Sequence, residues 1–187
     1  MNSGRVPALE LCNVCKTFGG LKATDNISIE VKEHEIYGII GPNGAGKTTL
    51  FNLITGVVPL SSGQIKVFGQ DISNLRADKI CKVGVARTFQ NIRLFNSATI
   101  MENLMIACQQ TIQYSAIQGC LRTKQFRKEE HGAQERCRNI LEKFGLLEYK
   151  DFTASKLPYG SQRRVEIMRA LMTAPKVLLL DEPAAGM

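Results

Sequence analysis

The stretch GPNGAGKTT, residues 41–49, constrains the fold of this chain more than any other part of the sequence. Its glycines, lysine and threonine have the spacing of a P-loop, a glycine-rich turn that joins a buried strand to a helix. The flanks fit that context, because an apolar run at residues 36–40 precedes the turn and an apolar-periodic run at residues 48–54 follows it. The sequence therefore predicts an α/β fold in which a buried strand, a turn and a helix follow one another.

The residue types of this stretch suit phosphate binding. Gly44 and Gly46 lack a Cβ atom, so the backbone can adopt conformations that bring successive N–H groups close to phosphate oxygens. The helix that follows adds unpaired N–H groups and a partial positive charge of about half a unit. Lys47 can then reach the β and γ phosphates, and the Thr48 hydroxyl can bind Mg²⁺. The alternative is a glycine-rich turn that binds nothing, but the complete pattern and its flanks favour a nucleoside-triphosphate site.

A second stretch, near the end of the chain, complements the first. The apolar run KVLLL at residues 176–180 is followed by Asp181, Glu182 and Pro183. Buried parallel strands read as continuous apolar runs, and ligands of open α/β sheets bind at the carboxyl ends of the strands. We therefore expect Asp181 to hold Mg²⁺ and Glu182 to deprotonate an attacking water. Alone, two acids before a proline are typical of a solvated turn, but the upstream P-loop favours the catalytic interpretation.

Composition narrows the class of protein only slightly. The 187 residues contain 24 Lys and Arg against 17 Asp and Glu, a net charge of +7. This balance suits an anionic ligand, a nucleic acid or a membrane surface, and it does not choose among them. No apolar run approaches the length of about 18 residues that spans a membrane, and no signal-peptide pattern is present. We therefore expect a cytosolic chain that neither crosses a membrane nor is exported.

The six cysteines fit a reducing compartment. Cys12 and Cys15 have CxxC spacing, but no second pair follows at the distance of a zinc site, and the alternation of LELCNV predicts a strand. The remaining cysteines are scattered and are predicted to be small apolar fillers or free thiols: Cys81, Cys108, Cys120 and Cys137.

Between the two site stretches the sequence predicts further core elements. These are a hairpin at residues 8–31, a strand at 64–68, a helix at 75–82 and a strand at 84–89. Phe18 lies in the hairpin turn, where it could stack on a nucleobase or belong to a satellite core. Gln90 follows the last of these strands, where its neutral amide could sense the water or metal at a γ-phosphate. A single glutamine in that position carries little information.

A helical segment follows and is predicted to be an insertion between core strands. Thr99 and Glu102 have capping-box spacing at the start of one helix, residues 99–109, and another helix is predicted at residues 123–144. The segment RTKQFRK, residues 122–128, holds four basic residues. They could face lipid headgroups or nucleic acid, but a solvated helix face is the more common role of such a segment.

Within the insertion, LPYGSQRRVEI at residues 157–167 predicts a turn that leads into an amphipathic helix. Gly160 and Ser161 lie at the helix start, so the exposed N-terminus is a second candidate anion site. Apolar residues recur at helical intervals, and the positions between them are polar. The apolar set is Val165, Met168, Leu171 and Met172, and the polar set is Arg163, Arg164 and Glu166.

Taken in order, these motifs resemble those of ATP-binding-cassette (ABC) ATPases. RTFQNIRLF at residues 87–95, LPYGSQRR at 157–164 and DEPAAGM at 181–187 are similar to the ATP-binding subunits of branched-chain amino-acid uptake transporters. The resemblance covers nearly the whole chain. It implies a P-loop NTPase core with an N-terminal antiparallel β subdomain, residues 1–93 and 175–187, and an α-helical signature subdomain, residues 94–174.

The resemblance also implies a role for each matching residue. Phe18 would stack on adenine, Gln90 would be the Q-loop glutamine that contacts the metal, and Lys47, Gln90 and Glu182 would be catalytic. Thr48, Gln90 and Asp181 would hold Mg²⁺, and the signature turn would contact the γ-phosphate of a partner subunit. The implied Walker A residues are Gly41, Pro42, Asn43, Gly44, Ala45, Gly46, Lys47, Thr48 and Thr49, and those of the signature turn are Tyr159, Gly160 and Ser161.

Partners and location follow from the same resemblance. It implies a head-to-tail dimer of two cassettes bound to transmembrane permease subunits at the cytoplasmic face of the cell membrane, with a substrate-binding protein as an indirect partner. ATP and Mg²⁺ would be the cofactors, ATP hydrolysis would drive branched-chain amino-acid transport, and no nucleic acid would be bound. The alternatives are a soluble cassette protein that binds nucleic acid or ribosomes, a lipid exporter, and a hydrolysis-deficient fragment that only binds nucleotide.

Two departures from the family pattern affect these expectations. Pro158 stands where the signature motif has serine, and proline offers neither a hydroxyl nor an N–H group, so backbone N–H groups near Gly160 would have to bind the phosphate. The sequence also stops at Met187, before the D-loop and the switch histidine of the family, and neither His34 nor His131 occupies that place. We therefore expect the C-terminal part of the fold to be missing and these 187 residues alone to hydrolyse ATP poorly or not at all.

Overall fold

The computed structural model describes residues 6–110 and 123–182. The chain divides into two units, Met1–Val85 and Ala86–Met187. In chain order the strands are β1 (Leu9–Phe18), β2 (Leu21–Val31), β3 (Ser62–Val67), β4 (Gln70–Asp71), β5 (Val85–Arg87) and β6 (Val177–Leu179). The helices are α1 (Lys47–Ile54), α2 (Ala77–Val83), α3 (Ile100–Cys108), α4 (Lys124–Lys143) and α5 (Tyr159–Leu171), with short 3₁₀ helices at Leu147–Tyr149 and Ala154–Lys156.

An antiparallel sheet with strand order β2-β1-β3-β4 forms most of the first unit. The alternation in LELCNVCKTF buries one face of β1, including Leu9, Leu11 and Val14, while the residues between them are more exposed. β1 pairs with β2 on one edge and with β3 on the other, where Leu11 lies opposite Ile65. The predicted hairpin and the predicted strand at residues 64–68 are therefore confirmed, as is the N-terminal antiparallel β subdomain.

The two helices of this unit begin and end close to their predicted limits. α1 follows the P-loop turn directly and buries Leu50, Leu53 and Ile54, the apolar side of the periodic run. α2 begins within two residues of its predicted start and ends at Val83, and the residue that follows, Gly84, has the left-handed conformation common after helices.

The apolar run at residues 36–40 does not form the buried strand that the sequence predicts. It has no regular secondary structure, and the side chains at its two ends, Ile36 and Ile40, are 100% and 98% exposed. An apolar run becomes a core strand only where neighbouring strands satisfy its backbone hydrogen bonds and cover its faces. Within residues 6–110 and 123–182 no strand pairs with this run, so the expected strand is absent there.

The second unit is mainly helical. α3, α4 and α5 contribute to one apolar cluster that includes Ile100, Leu104, Leu141, Val165 and Met168. The predicted capping box is present, since the Glu102 N–H donates to Thr99 Oγ1 at 3.1 Å and the Thr99 N–H donates to Glu102 Oε2 at 2.7 Å. The helices predicted at residues 99–109, 123–144 and after residue 157 are all confirmed.

Two cysteines contribute to this helical cluster. Cys108 of α3 and Cys137 of α4 are fully buried, as predicted for small apolar fillers, with their Sγ atoms 3.6 Å apart. A hydrogen bond from the Cys137 thiol lowers the pKa of Cys108, and the same bond together with burial raises the pKa of Cys137. Cys12 and Cys15 are also free thiols, and Cys81 is half-buried in α2. Cys120 and the basic Arg122 lie outside the described residues.

β5 and β6 form a two-stranded sheet, which confirms both predicted strands in shorter form. The Thr88 N–H donates to the Leu179 carbonyl at 3.0 Å, one residue beyond the end of β5. The segments that follow the two strands, with Gln90 and Asp181, therefore leave the sheet side by side. Among the described residues no helix is both long and apolar enough to cross a membrane.

Candidate nucleotide-binding site

A sharp turn over residues 41–46 leads straight into α1 in the first unit. Gly44 and Gly46 have φ angles of +82° and +83°, in the left-handed region that favours glycine. The Ala45 N–H donates to the Pro42 carbonyl at 3.2 Å, and the first helical bond runs from the Leu50 N–H to the Gly46 carbonyl at 2.8 Å. The first-turn N–H groups of a helix have no partner within it, so they are free to bind an anion.

Lys47, the first residue of α1, closes this turn. Its Nζ donates to the carbonyl oxygens of Gly41 at 2.6 Å and Pro42 at 2.8 Å. The ammonium group therefore lies across the turn, where phosphate oxygens could replace or join the carbonyl acceptors. The other predicted Walker A residues belong to the same turn and first helical turn, and Thr48 is exposed. The set consists of Gly41, Pro42, Asn43, Gly44, Ala45, Gly46, Lys47, Thr48 and Thr49.

We expect Gly46→Ala to destabilise the protein and to disrupt the P-loop. A Cβ atom at Gly46 would lie 2.3 Å from the backbone oxygen of Ala23 in β2, so the turn or the strand must move. The left-handed φ adds about 1 kcal/mol of strain, and the steric overlap adds about 1–3 kcal/mol more. Thermal unfolding and titration with a fluorescent ATP analogue measure the two effects.

Gly44→Ala is the matched control for stability. It has nearly the same φ angle, but nothing lies within 4 Å of its Cβ position, so it carries the strain without the overlap. Equal melting temperatures for the two variants would contradict the assigned role of the Ala23 contact.

Phe18 lies at the end of β1, where the hairpin turns. Phe18 is 48% exposed, and the Nζ of Lys16 lies over its ring, 4.9 Å from the centroid. Lys16 is held there, because it also donates to the Pro59 carbonyl at 2.8 Å. An exposed aromatic face of this kind can stack on a base.

Asp181 follows β6 in the second unit and is 6% exposed. Its Oδ2 accepts a hydrogen bond from Arg87 Nη2 at 2.8 Å, and the side chains of this ion pair are 4% and 9% exposed. The Asp181 N–H donates to Thr88 Oγ1 at 3.3 Å. The pairing of Arg87 with Asp181 was not predicted from the sequence. The sequence signal for this pair is a basic residue, Arg87, near the end of one predicted strand and an acidic residue, Asp181, directly after another.

Glu182 differs from its neighbour in exposure and in backbone conformation. Its side chain is exposed, and its φ angle of +50° is uncommon for a residue other than glycine. Strained backbone of this kind persists only where the surroundings hold it in place, and it is concentrated at functional sites. Pro183 and the rest of the DEPAAGM stretch lie outside the described residues.

Gln90 is exposed in the irregular segment that follows β5. Near Gln90, the guanidinium of Arg93 lies over the Phe89 ring, 4.1 Å from its centroid, and that of Arg87 lies 5.1 Å from the same centroid. Further along, Arg169 of α5 donates to the Arg93 carbonyl, and burial lowers the pKa of that guanidinium.

The predicted signature turn is the N-terminus of α5. Pro158 is its N-cap residue and makes no side-chain capping bond, as the missing hydroxyl requires. The Ser161 and Gln162 N–H groups donate to the Pro158 carbonyl at 2.9 and 3.0 Å. Tyr159 is 50% exposed, so the first-turn N–H groups at Tyr159 and Gly160 lie at an open helix end.

The burial of Arg163 and Glu166 contradicts the exposed positions predicted for them. They were assigned to the polar positions of an amphipathic helix, yet they are 1% and 4% exposed. They form an ion pair, Nη1 to Oε2 at 2.5 Å, one helical turn apart. The i, i+3 spacing of opposite charges was a signal for the pair, although it does not indicate burial.

The glycine-rich turn, the lysine across it and the helix that follows define the class of the protein as a nucleotide-binding P-loop protein. Comparison with known proteins agrees. The chain matches the family described as ABC transporter over residues 24–185. It is 44% identical to the high-affinity branched-chain amino acid transport ATP-binding protein LivG of Escherichia coli over 181 residues, 97% of this chain and 71% of LivG.

Other relatives give the same result. The high-affinity branched-chain amino acid transport ATP-binding protein BraF of Pseudomonas aeruginosa is 43% identical over 97% of this chain and 71% of its own length. Among solved structures, the ATP-binding cassette MJ1267 of an ABC transporter has a TM-score of 0.80 and 37% identity over 97% of this chain and 71% of that chain. This chain therefore belongs to the ABC transporter family and is an ABC-type ATPase.

Proposed function

We propose that this chain is the ATP-binding subunit of an importer of branched-chain, hydrophobic amino acids, and that it couples ATP binding and hydrolysis to transport. The observation that carries the proposal is the 44% identity over 97% of the chain to a protein described as a branched-chain amino acid transport ATP-binding protein. The exposed P-loop turn, with Lys47 lying across it, supports the ATP-binding part of this proposal.

In this proposal each predicted site residue has a separate role in binding or hydrolysing the nucleotide. Phe18 stacks on adenine, the P-loop N–H groups and Lys47 bind the phosphates, and Glu182 deprotonates the attacking water. Thr48, Gln90 and Asp181 would hold Mg²⁺, since their hydroxyl, amide and carboxylate oxygens are the hard donors that this ion prefers. When bound, the ion would neutralise phosphate charge and stabilise charge in the transition state. Asp181 would have to share its carboxylate between the ion and Arg87.

We further propose the domain limits and partners that the family pattern implies. Residues 1–93 and 175–187 belong to the nucleotide-binding core, and residues 94–174 form the signature subdomain that contacts a permease. Two cassettes associate head to tail, so the open helix end at Tyr159, Gly160 and Ser161 binds the γ-phosphate held by the partner's P-loop. The complex lies at the cytoplasmic face of the membrane, receives substrate from a binding protein, and contacts no nucleic acid.

Co-purification and transport test this proposal. We expect the native protein, isolated in detergent from membranes of its source, to bring down two permease subunits. Proteoliposomes made from the complex, with the cassettes facing outward, should move labelled leucine, isoleucine or valine only when Mg-ATP and a substrate-binding protein are supplied on the appropriate sides. Lysine and acidic amino acids are the substrate controls.

The rival functions predict different results from the same preparation. Retention of nucleic acid that falls steeply with salt would indicate a soluble nucleic-acid-binding cassette protein. Transfer of labelled lipid in place of amino acids would indicate an exporter, and ATP binding without turnover or a permease would indicate a fragment that only binds nucleotide.

A further inference from the structure

The ion pair between Arg163 and Glu166 is buried in the second unit. Arg163 and Glu166 lie one turn apart on α5, almost completely shielded from solvent. Burying two charges is costly unless the remaining donors and acceptors are satisfied, so the other bonds of the pair show where it is needed. Those bonds do not go to α5 itself.

Arg163 bonds the backbone of two separate segments. Its Nη1 donates to the Phe89 carbonyl, and its Nη2 donates to the Asp181 carbonyl and, at 3.3 Å, to the Glu182 carbonyl. The first acceptor immediately precedes Gln90. The other two belong to the residues assigned to metal binding and to the general base.

Glu166 accepts hydrogen bonds from the segment around Gln90, to which Arg163 donates one. Its Oε1 accepts hydrogen bonds from the N–H groups of Phe89 at 3.3 Å and Arg93 at 3.4 Å. The backbone of Phe89 is thus held at both its N–H and its carbonyl group, and the segment that carries Gln90 is tied at both ends. A point charge such as lysine could not make this set of bonds, whereas the planar guanidinium can.

We propose that Arg163 and Glu166 are positioning residues for ATP hydrolysis: together they fix the backbone at Gln90 and at Glu182 relative to each other and to the helix that begins at the signature turn. The inference rests on the proposed function. It is supported by the φ angle of +50° at Glu182, a strained conformation whose carbonyl is held by Arg163. Strain of this kind requires such an external constraint.

A purely structural ion pair is the competing interpretation, and paired substitutions separate the two. Arg163→Met leaves Glu166 as an uncompensated buried charge, so both interpretations predict a lower melting temperature. In Arg163→Met combined with Glu166→Leu, neither charge remains, and the melting temperature should recover most of the loss. The donors to the Phe89, Asp181 and Glu182 carbonyls are still missing, so positioning predicts that kcat does not recover.

The kinetic test uses the native protein with its permease. For the double variant we expect kcat to fall by roughly a hundredfold, the effect of misplacing a catalytic group by about 1 Å. KM for ATP should stay within about threefold of the parent, since the phosphate-binding residues of the P-loop are unchanged. Arg163→Lys should recover only part of kcat. Recovery of kcat together with melting temperature would overturn the proposal.

Two controls and one independent readout complete the test. Arg138→Met removes an exposed arginine from α4, and Leu141→Ala destabilises the helical cluster without touching either segment. Both should keep kcat per folded molecule. Amide exchange in the double variant should lose protection at Phe89 and Arg93, and unchanged protection there would also refute the proposal. A parent protein that hydrolyses no ATP would instead refute the proposed function.

Discussion

Lys47→Ala reduces ATP affinity by at least about a hundredfold in the native protein. The Lys47 ammonium lies across the P-loop turn with two carbonyl acceptors at 2.6 and 2.8 Å, so it is already in place for phosphate oxygens. Hydrogen bonds to charged groups contribute about 1.5–3 kcal/mol each, and every 1.4 kcal/mol is about tenfold in affinity. Isothermal titration with ATP measures the loss.

Lys22→Ala is the control for the loss of one positive charge. Lys22 belongs to the same unit and pairs with Asp25 at 3.1 Å, and both side chains of this pair are more than half exposed. Surface pairs of this kind contribute little, so affinity and stability should remain close to those of the parent. An ATP affinity of Lys47→Ala within threefold of the parent would mean that the lysine serves the turn rather than the nucleotide.

The elements that the sequence predicted well are those specified by local chemistry. A glycine at φ +83°, a helix that starts at the next residue and a lysine in its first turn are all fixed within residues 41–49. The capping box of α3 is likewise a local arrangement, in which Thr99 and Glu102 bond each other's backbone. Such features need no knowledge of distant residues, because their partners lie within one turn of the chain.

The run at residues 36–40 shows the limit of that reasoning. Its composition suits a buried strand, but a strand depends on hydrogen bonds from neighbours that composition does not identify. In the part of the chain that the structure describes, those neighbours are missing, and Ile36 and Ile40 are exposed. The same principle explains why β5 and β6 were predicted correctly. Each has the other as a hydrogen-bonding neighbour.

The site residues that the sequence did not reveal are the ones whose role depends on long-range contacts. Arg87 pairs with Asp181 across 94 residues, and Arg163 bonds the Phe89 carbonyl across 74 residues. Hydrophobic periodicity places charged residues on the solvated side of a helix, and it fails where a buried charge is compensated by partners from elsewhere. The acids of the second site stretch were found because they follow an apolar strand. The arginines that hold them had no comparable local signal.

The two acids of the site, Asp181 and Glu182, lie in different environments. Asp181 is buried and its charge is balanced by Arg87, whereas Glu182 is exposed and only its backbone is held, through Arg163. The Asp181 carboxylate is shielded from solvent and already accepts a hydrogen bond from Arg87, whereas the exposed Glu182 carboxylate is open to an attacking water. Of the two, Glu182 is therefore the better candidate for general base, and Asp181 the better candidate for metal ligand.

Glu182→Gln should spare ATP binding and reduce turnover by about 10²- to 10⁴-fold, the usual contribution of a general base. Glutamine keeps the size of the side chain and leaves the backbone bond to Arg163 in place, so only the ability to accept a proton is lost. ATP titration and single-turnover hydrolysis of the native complex measure the two quantities separately. Glu148→Gln removes an exposed carboxylate from the same unit and should leave both unchanged. If Glu182→Gln hydrolyses ATP at the parental rate, another group must activate the water, and the exposed carboxylate beside the strained backbone would then serve only to shape the turn after β6.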